Sequence, residues 1–274
     1  MSMKPLFFAV GLALAATPAW CAGTSAPPAP AATPAAQPPK IAPPPARKPT
    51  AEERVEADRM GALARAAFWG HDLEVDPRDV EGAVKLAKAL RELSRFDEAE
   101  AATAQALIIA PNSVEALLES ARDYIAQGHG FFAIDPCTRA SAIAPKDWRP
   151  QSLLGIALEQ AERGDEALAA FKSAVALAPG NPAALTNLAM YYAARGDSKQ
   201  AEALLRQAVA APGAGPRERQ NLALILGLSG HLDEAERLER KDLPPDVVAN
   251  DLAYLRADST GPKPRSWDAV SSAH

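Results

Sequence analysis

The chain has 274 residues, with 34 acidic against 29 basic side chains and a formal net charge of −5. No long block of like charge interrupts it, which removes the electrostatic case for nucleic-acid binding. Its two cysteines are too few for a disulfide framework, and its 25 prolines, dense before residue 50, mark off a segment that cannot form a packed core.

The N-terminus reads as an export signal over residues 1–22. Lys4 supplies the positive start, and Leu6 to Ala16 is an apolar run of about eleven residues, too short to span a bilayer and typical of a signal h-region. Thr17-Pro18-Ala19-Trp20-Cys21-Ala22 then breaks the helix, with small residues placed for cleavage after Ala19 or Cys21. Cys21 keeps two readings. Lipidated, it would be the first residue of a bacterial lipoprotein, anchored stably by three acyl chains. Otherwise it is a chance cysteine beside an ordinary cleavage site. Pro18 and Trp20 stand where a lipobox wants Leu and a small residue, which favours the second reading without closing the first.

Residues 23–50 are mostly Ala, Pro and Thr, with ten prolines between Pro27 and Pro49. This composition predicts a disordered, partly polyproline-II linker that reaches on the order of 85 Å when extended. A helix is predicted over Thr50 to Trp69, with Thr50 and Glu53 forming a capping box and Val55, Met60, Leu63 and Phe68 apolar. Residues 51–79 are read as an N-terminal capping helix and a link, in which His71-Asp72 is a turn.

From residue 80 a 34-residue beat takes over. Pro111, Pro145 and Pro179 each follow an Ala and end an apolar helical stretch. With Trp148 as position 1, Gly155 falls at position 8, Ala167 at 20, Phe171 at 24, Ala174 at 27 and Pro179 at 32. The same register holds for units starting at Val80, Val114, Pro182 and Pro216, the fourth with its proline one place early at Pro212. Small residues at 8, 20 and 27 let two helices cross closely. Gly128, Gly196 and Gly230, at position 15, suit the turn between them. Asp97-Glu98, Asp165-Glu166 and Asp233-Glu234 suit the positive end of each second helix. The five units cover residues 80–249. A C-terminal capping helix, predicted over Asp246 to Asp258, ends across 250–258, and a disordered tail fills 259–274.

A 34-residue helix-turn-helix unit with small residues at fixed places is the tetratricopeptide repeat. The predicted fold is therefore all-α: a right-handed superhelical solenoid of about five repeats with capping helices. Such repeats stack and form a concave groove, which points to binding rather than catalysis. His71, His129, His231 and His274 have no metal-ligand partners at useful spacing, so no catalytic residue, metal or cofactor is expected. Cys137, at position 24, reads as a small buried hydrophobe.

In this fold the first helix of each repeat lines the groove through positions 2, 5, 6, 9, 12 and 13. The candidate partner-binding residues are Lys88, Arg91, Arg122, Arg149, Glu159, Asn187, Met190, Gln220 and Asn221, alongside Glu81, Glu92, Glu115, Ser152, Gln160, Thr186 and Arg217. Asn187 and Asn221 share position 6 within matching Asn-Leu-Ala strings. They either grip an extended peptide backbone or bond a neighbouring repeat and only stabilise the stack.

The C-terminal third carries more specific strings. Asn187-Leu-Ala-Met, Ala201-Glu-Ala-Leu-Leu-Arg, Ala211-Pro-Gly-Ala, Arg219-Gln-Asn-Leu-Ala-Leu-Ile-Leu-Gly-Leu-Ser-Gly230, Asp242-Leu-Pro-Pro and Asn250-Asp-Leu-Ala-Tyr-Leu-Arg256 occur in order. Over residues 183 to 257 this series resembles the TadD family, the repeat proteins of tight-adherence (Flp) pilus assembly. The resemblance implies an exported, often lipid-anchored protein facing the periplasm of a Gram-negative envelope. It implies a pilotin-like adaptor whose partner is an outer-membrane secretin or another pilus-assembly component. The alternative is a general periplasmic peptide-binding chaperone or a regulator of a cell-envelope enzyme. No nucleic acid is expected as a partner, and membrane attachment would come only through a lipid on Cys21.

Overall fold

The computed structural model describes residues 47–260. The signal, Cys21 and nearly all of the Pro-rich linker lie outside the described residues, as does the tail beyond Thr260. The described residues form thirteen helices and no strand. Six helix hairpins follow one another: α1 (Ala51–Ala57) with α2 (Ala62–Val75), α3 (Val80–Glu92) with α4 (Phe96–Ile109), α5 (Val114–Ala126) with α6 (Gly130–Ile143), α7 (Trp148–Gln160) with α8 (Gly164–Leu177), α9 (Pro182–Ala194) with α10 (Ser198–Ala210), and α11 (Pro216–Leu228) with α12 (Leu232–Glu239). Helix α13 (Pro245–Thr260) closes the series.

The five units read from the sequence are hairpins two to six. Position 34 caps each first helix from the preceding unit. Asp79, Ser113, Asp147 and Asn181 accept from Gly82 N (3.1 Å), Ala116 N (3.3 Å), Arg149 N (2.9 Å) and Ala184 N (3.1 Å). At Gly215 the Glu218 carboxylate accepts from the cap N–H instead (2.8 Å). The residues before the prolines leave the helical region together: Ala110, Ala144 and Ala178 lie at φ −131, −123 and −141°. Pro212, one place early, stops α10 one residue short of its counterparts.

Position 15 is left-handed in all five units. Gly128, Gly196 and Gly230 lie at φ 74, 78 and 87°, and Ser94 and Glu162 are held there at φ 58°. The crossing inside each hairpin is as tight as the small residues suggest. Ala87, Ala121, Ala189 and Ala223 at position 8 and Ala99, Ala133, Ala167, Ala201 and Ala235 at position 20 are all fully buried. A Cβ on Gly155 would stand 2.5 Å from Phe171 Cε1.

The N-terminal region departs from the sequence reading. Thr50 does cap, with the full capping box, but α1 ends at Ala57 and a second helix runs from Ala62 to Val75. Asp72 therefore lies inside α2, buried, and not in a turn. Helices α2, α4, α6, α8, α10 and α12 begin at 62, 96, 130, 164, 198 and 232, always 34 residues apart. Asp76, before Pro77, has nearly the same φ (−130°) as the alanines before the other prolines. The segment is thus one more hairpin in the same register, ahead of the five, with a shortened first helix. Its crossing holds Asp72 at position 27, where the next four units hold Ala. Arg54 of α1 bonds Asp72 (2.6 Å) and Asp79, and Trp69 is buried beneath Arg54 and Lys85, 5.4 and 4.8 Å from its ring centroid.

At the other end, α12 stops after two turns and Pro244-Pro245 starts α13, which packs on α11 and α12. Gly227 leaves room for the Leu255 side chain at that contact.

Candidate functional site

The first helix of each hairpin packs on the first helix of the next, from α3 through α5, α7 and α9 to α11 and on to α13. The second helices stand further apart. Arg206 of α10 reaches Glu234 of α12, at 2.7 Å, only through its extended side chain. The stack is therefore tighter along the first helices, which form its inner face. Position 10 lies in the seam between them: Ala89, Asp123, Ala157, Tyr191 and Ile225 are all buried.

In hairpins two and three this face is a network of ion pairs. Arg91 reaches from α3 to Glu119 and, at 3.1 Å, to Asp123 of α5, and Arg122 bonds Glu119 at 2.8 Å. Thr103 Oγ1 of α4 lies 3.4 Å from the other Asp123 oxygen. Asp123 is wholly buried, and that burial, helped by the nearby Glu119 charge and opposed by Arg91, pushes its carboxyl up to about 7. Arg149 of α7 is held by Glu115 of α5 and by its own cap residue Asp147, each at 2.7 Å. Lys88 is exposed and makes no ion pair among the described residues.

Hairpins four to six present a different surface. Glu159 accepts from both terminal nitrogens of Arg195 at 2.8 Å, and that guanidinium stacks 3.6 Å from the Tyr191 ring centroid. Asn187 Nδ2 donates to Ser152 Oγ of the preceding hairpin at 2.7 Å, and its Oδ1 accepts from Arg217 of the following one at 3.3 Å. Met190 and Asn221 are half-buried and Gln220 is exposed.

All nine candidates thus lie on the first helices. Their company differs. Arg91, Arg122, Arg149 and Glu159 are each neutralised within the chain, whereas Lys88, Met190, Gln220 and Asn221 are not engaged in ion pairs among the described residues. Asp123, at position 10, falls outside the groove positions expected from the sequence. Its signal is a charge at a place where the other units carry Ala, Tyr or Ile. Cys137 is buried, which pushes its thiol up to about 12 and leaves it unreactive.

The tetratricopeptide repeat family model matches residues 158–217. Cellulose synthase operon protein C of Pseudomonas fluorescens (strain SBW25) is 37% identical over 126 residues, which are 46% of this chain and 10% of that protein. The chain therefore matches only about a tenth of that relative's length. Among solved structures, a thermophilic TPR protein of Thermus thermophilus superposes with a TM-score of 0.57 at 25% identity, covering 65% of this chain and 99% of that one. A tetratricopeptide repeat protein from Parabacteroides merdae ATCC 43184 gives 0.60 at 16% identity, covering 74% and 79%, a likeness of fold.

Proposed function

We propose that this chain, which has the tetratricopeptide-repeat fold of protein–protein interaction scaffolds, acts without catalysis by holding an extended segment of a partner protein on its inner face. The observation that carries this reading is the run of first helices in hairpins four to six, where Asn187, Met190, Gln220 and Asn221 stand uncharged on the inner face beside the Arg149–Glu115 and Glu159–Arg195 pairs. Amide side chains can both donate to and accept from a peptide backbone, and Met190 offers an adaptable apolar contact.

The finer reading is an exported adaptor of tight-adherence (Flp) pilus assembly. The ordered strings from Asn187 to Arg256 support it, together with the signal-like N-terminus. On this reading the protein faces the periplasm, assists an outer-membrane secretin in the manner of a pilotin, and is tethered to the outer membrane if Cys21 carries lipid. The test is affinity capture of the full chain from its native cells after in vivo crosslinking. Recovery of a secretin supports the pilus role, and its absence alongside other specific partners overturns it.

A second reading has its own support. The similarity to cellulose synthase operon protein C favours a scaffold attached to a cell-envelope enzyme, with the same face in use. A general peptide-binding chaperone would instead capture many unrelated segments. The same capture experiment separates the three by what is recovered.

A further inference from the structure

The units share one register, so each side chain on the inner face can be compared with its counterpart 34 residues away. Arg149 and Arg217 both occupy position 2. Arg149 is neutralised twice, by Glu115 at position 2 of the preceding hairpin and by its cap residue Asp147. The counterparts of those two acids are Ala183 and Gly215, so the geometry that neutralises Arg149 offers Arg217 nothing. Arg217 is exposed, and its one hydrogen bond among the described residues is the 3.3 Å contact to Asn187 Oδ1. Glu218, the next residue, is turned back onto the Gly215 N–H at 2.8 Å.

A second observation lies one turn further along. Ser152 and Asn187 form a hydroxyl–amide rung between hairpins four and five, at a sequence separation of 35. The same offset relates Thr186 to Asn221, yet that rung is open. Thr186 Oγ1 is buried without a partner, and the Asn221 amide makes no hydrogen bond among the described residues. The Asn187 amide is committed on both sides, while the Asn221 amide, four residues from Arg217 and on the same helix face, is free.

We propose that Arg217 and Asn221 form an acceptor site for an extended segment bearing an acidic side chain, Arg217 taking the carboxylate and Asn221 the adjoining backbone. This deepens the inner-face reading and rests on it. A guanidinium offers two parallel N–H donors to a carboxylate, which a neutral residue cannot reproduce. Asn187 positions that guanidinium from behind by accepting from it. Gln220 and Met190 flank the path along which the segment would continue, so the carboxylate belongs to an internal Asp or Glu.

The experiment uses the full chain and a positional-scanning decapeptide library, acetylated and amidated at its ends so that Asp or Glu supplies the only carboxylates. A matching library carries Asn or Gln at those places. The expected result is retention of the acidic pools about tenfold better than the amide pools, a preference abolished in Arg217→Gln, retained in part in Arg217→Lys, and turned toward basic pools in Arg217→Glu. Arg237→Gln on α12, with the same change in net charge, should keep the preference. Equal retention of acidic and amide pools by the wild-type chain overturns the carboxylate site while leaving the inner-face reading intact. A preference that appears only when the peptide ends in a free α-carboxylate overturns the internal placement. No retention of any pool by the wild-type chain overturns the inner-face reading and the site with it.

Discussion

At positions 6 and 9 of the first helices, hairpins two and three carry Lys85, Lys88, Glu119 and Arg122, whereas hairpins four to six carry Leu153, Ile156, Asn187, Met190, Asn221 and Leu224. The backbone of the first helices is alike in both stretches, with the same left-handed turns and small-residue crossings. The difference is therefore one of surface chemistry. In the first stretch, charges from adjacent hairpins meet and cancel, so the face is largely occupied by its own side chains. In the second, the Glu159–Arg195 pair is joined on this face by the Ser152–Asn187–Arg217 bonds, which leave the Asn221 and Gln220 amides and the Arg217 guanidinium for another molecule. A repeat scaffold separates these roles because stability comes from small buried residues common to every unit, while exposed positions vary freely.

The crossing shared by both stretches is where the largest effect is expected. Gly155→Asp places a charge against the Phe171 ring and should cost roughly 4 kcal/mol in chemical denaturation. An unchanged melting temperature would remove the tight crossing from the account. Next, Arg54→Met leaves Asp72 buried without its partner and should cost about 3 kcal/mol. Hydrogen exchange should show the loss in α1 to α3 while α9 to α12 keep their protection. Uniform loss along the stack would mean that the charged end and the neutral end are not separable.

Asp123 sharpens the contrast through pH. Its carboxyl is raised from 3.8 to about 7 by burial, so the folded chain holds a proton that the unfolded chain releases. The stability this group supplies is full below about pH 4 and is lost as the pH climbs toward 7. Relative to wild type, Asp123→Asn should gain on the order of 2 kcal/mol between pH 4.5 and 7.5. Parallel stability curves for the two proteins across that range would sink this assignment. In the neutral stretch, Asn187→Ala should cost only about 1 kcal/mol, by freeing Ser152 Oγ. The double change Asn187→Ala with Asn221→Ala should weaken partner binding more than it lowers stability. The smallest effect concerns the turns: Ser94→Gly and Glu162→Gly should each stabilise by about 0.5–1 kcal/mol, since both residues sit at φ 58°. A loss at either site would show that its side chain has a role the turn does not explain.

Much of this architecture was legible in the residues because each signal acts locally. A proline restricts its own backbone and that of the residue before it, a capping side chain reaches only its own first turn, and an alanine every 34 residues needs no knowledge of the rest. The first hairpin, α1 with α2, was harder to read. Arg65 stands at position 20, where every other unit places alanine, and Asp72 at position 27, where the next four do. Pro77, 34 residues before Pro111, and the cap residue Asp79, 34 before Ser113, kept the beat. The buried role of Asp72 depends on Arg54, eighteen residues earlier in the sequence, crossing over it.

The candidate binding residues divide in the same way. Helical periodicity puts positions 2, 5, 6, 9, 12 and 13 on one side of each first helix, and the likeness to the tetratricopeptide repeat made that side the inner face. Neither says which of them stay available. Arg149 and Arg217 are the same residue at the same position, and only the stacking of one hairpin on the next supplies Glu115 to the first and Ala183 to the second. By itself the sequence determined the repeat, its turns and its inner face, because those are set within about one helical hairpin. The tertiary structure decided which charges are neutralised and which remain, because neutralisation depends on distances of a few ångströms between side chains from neighbouring units.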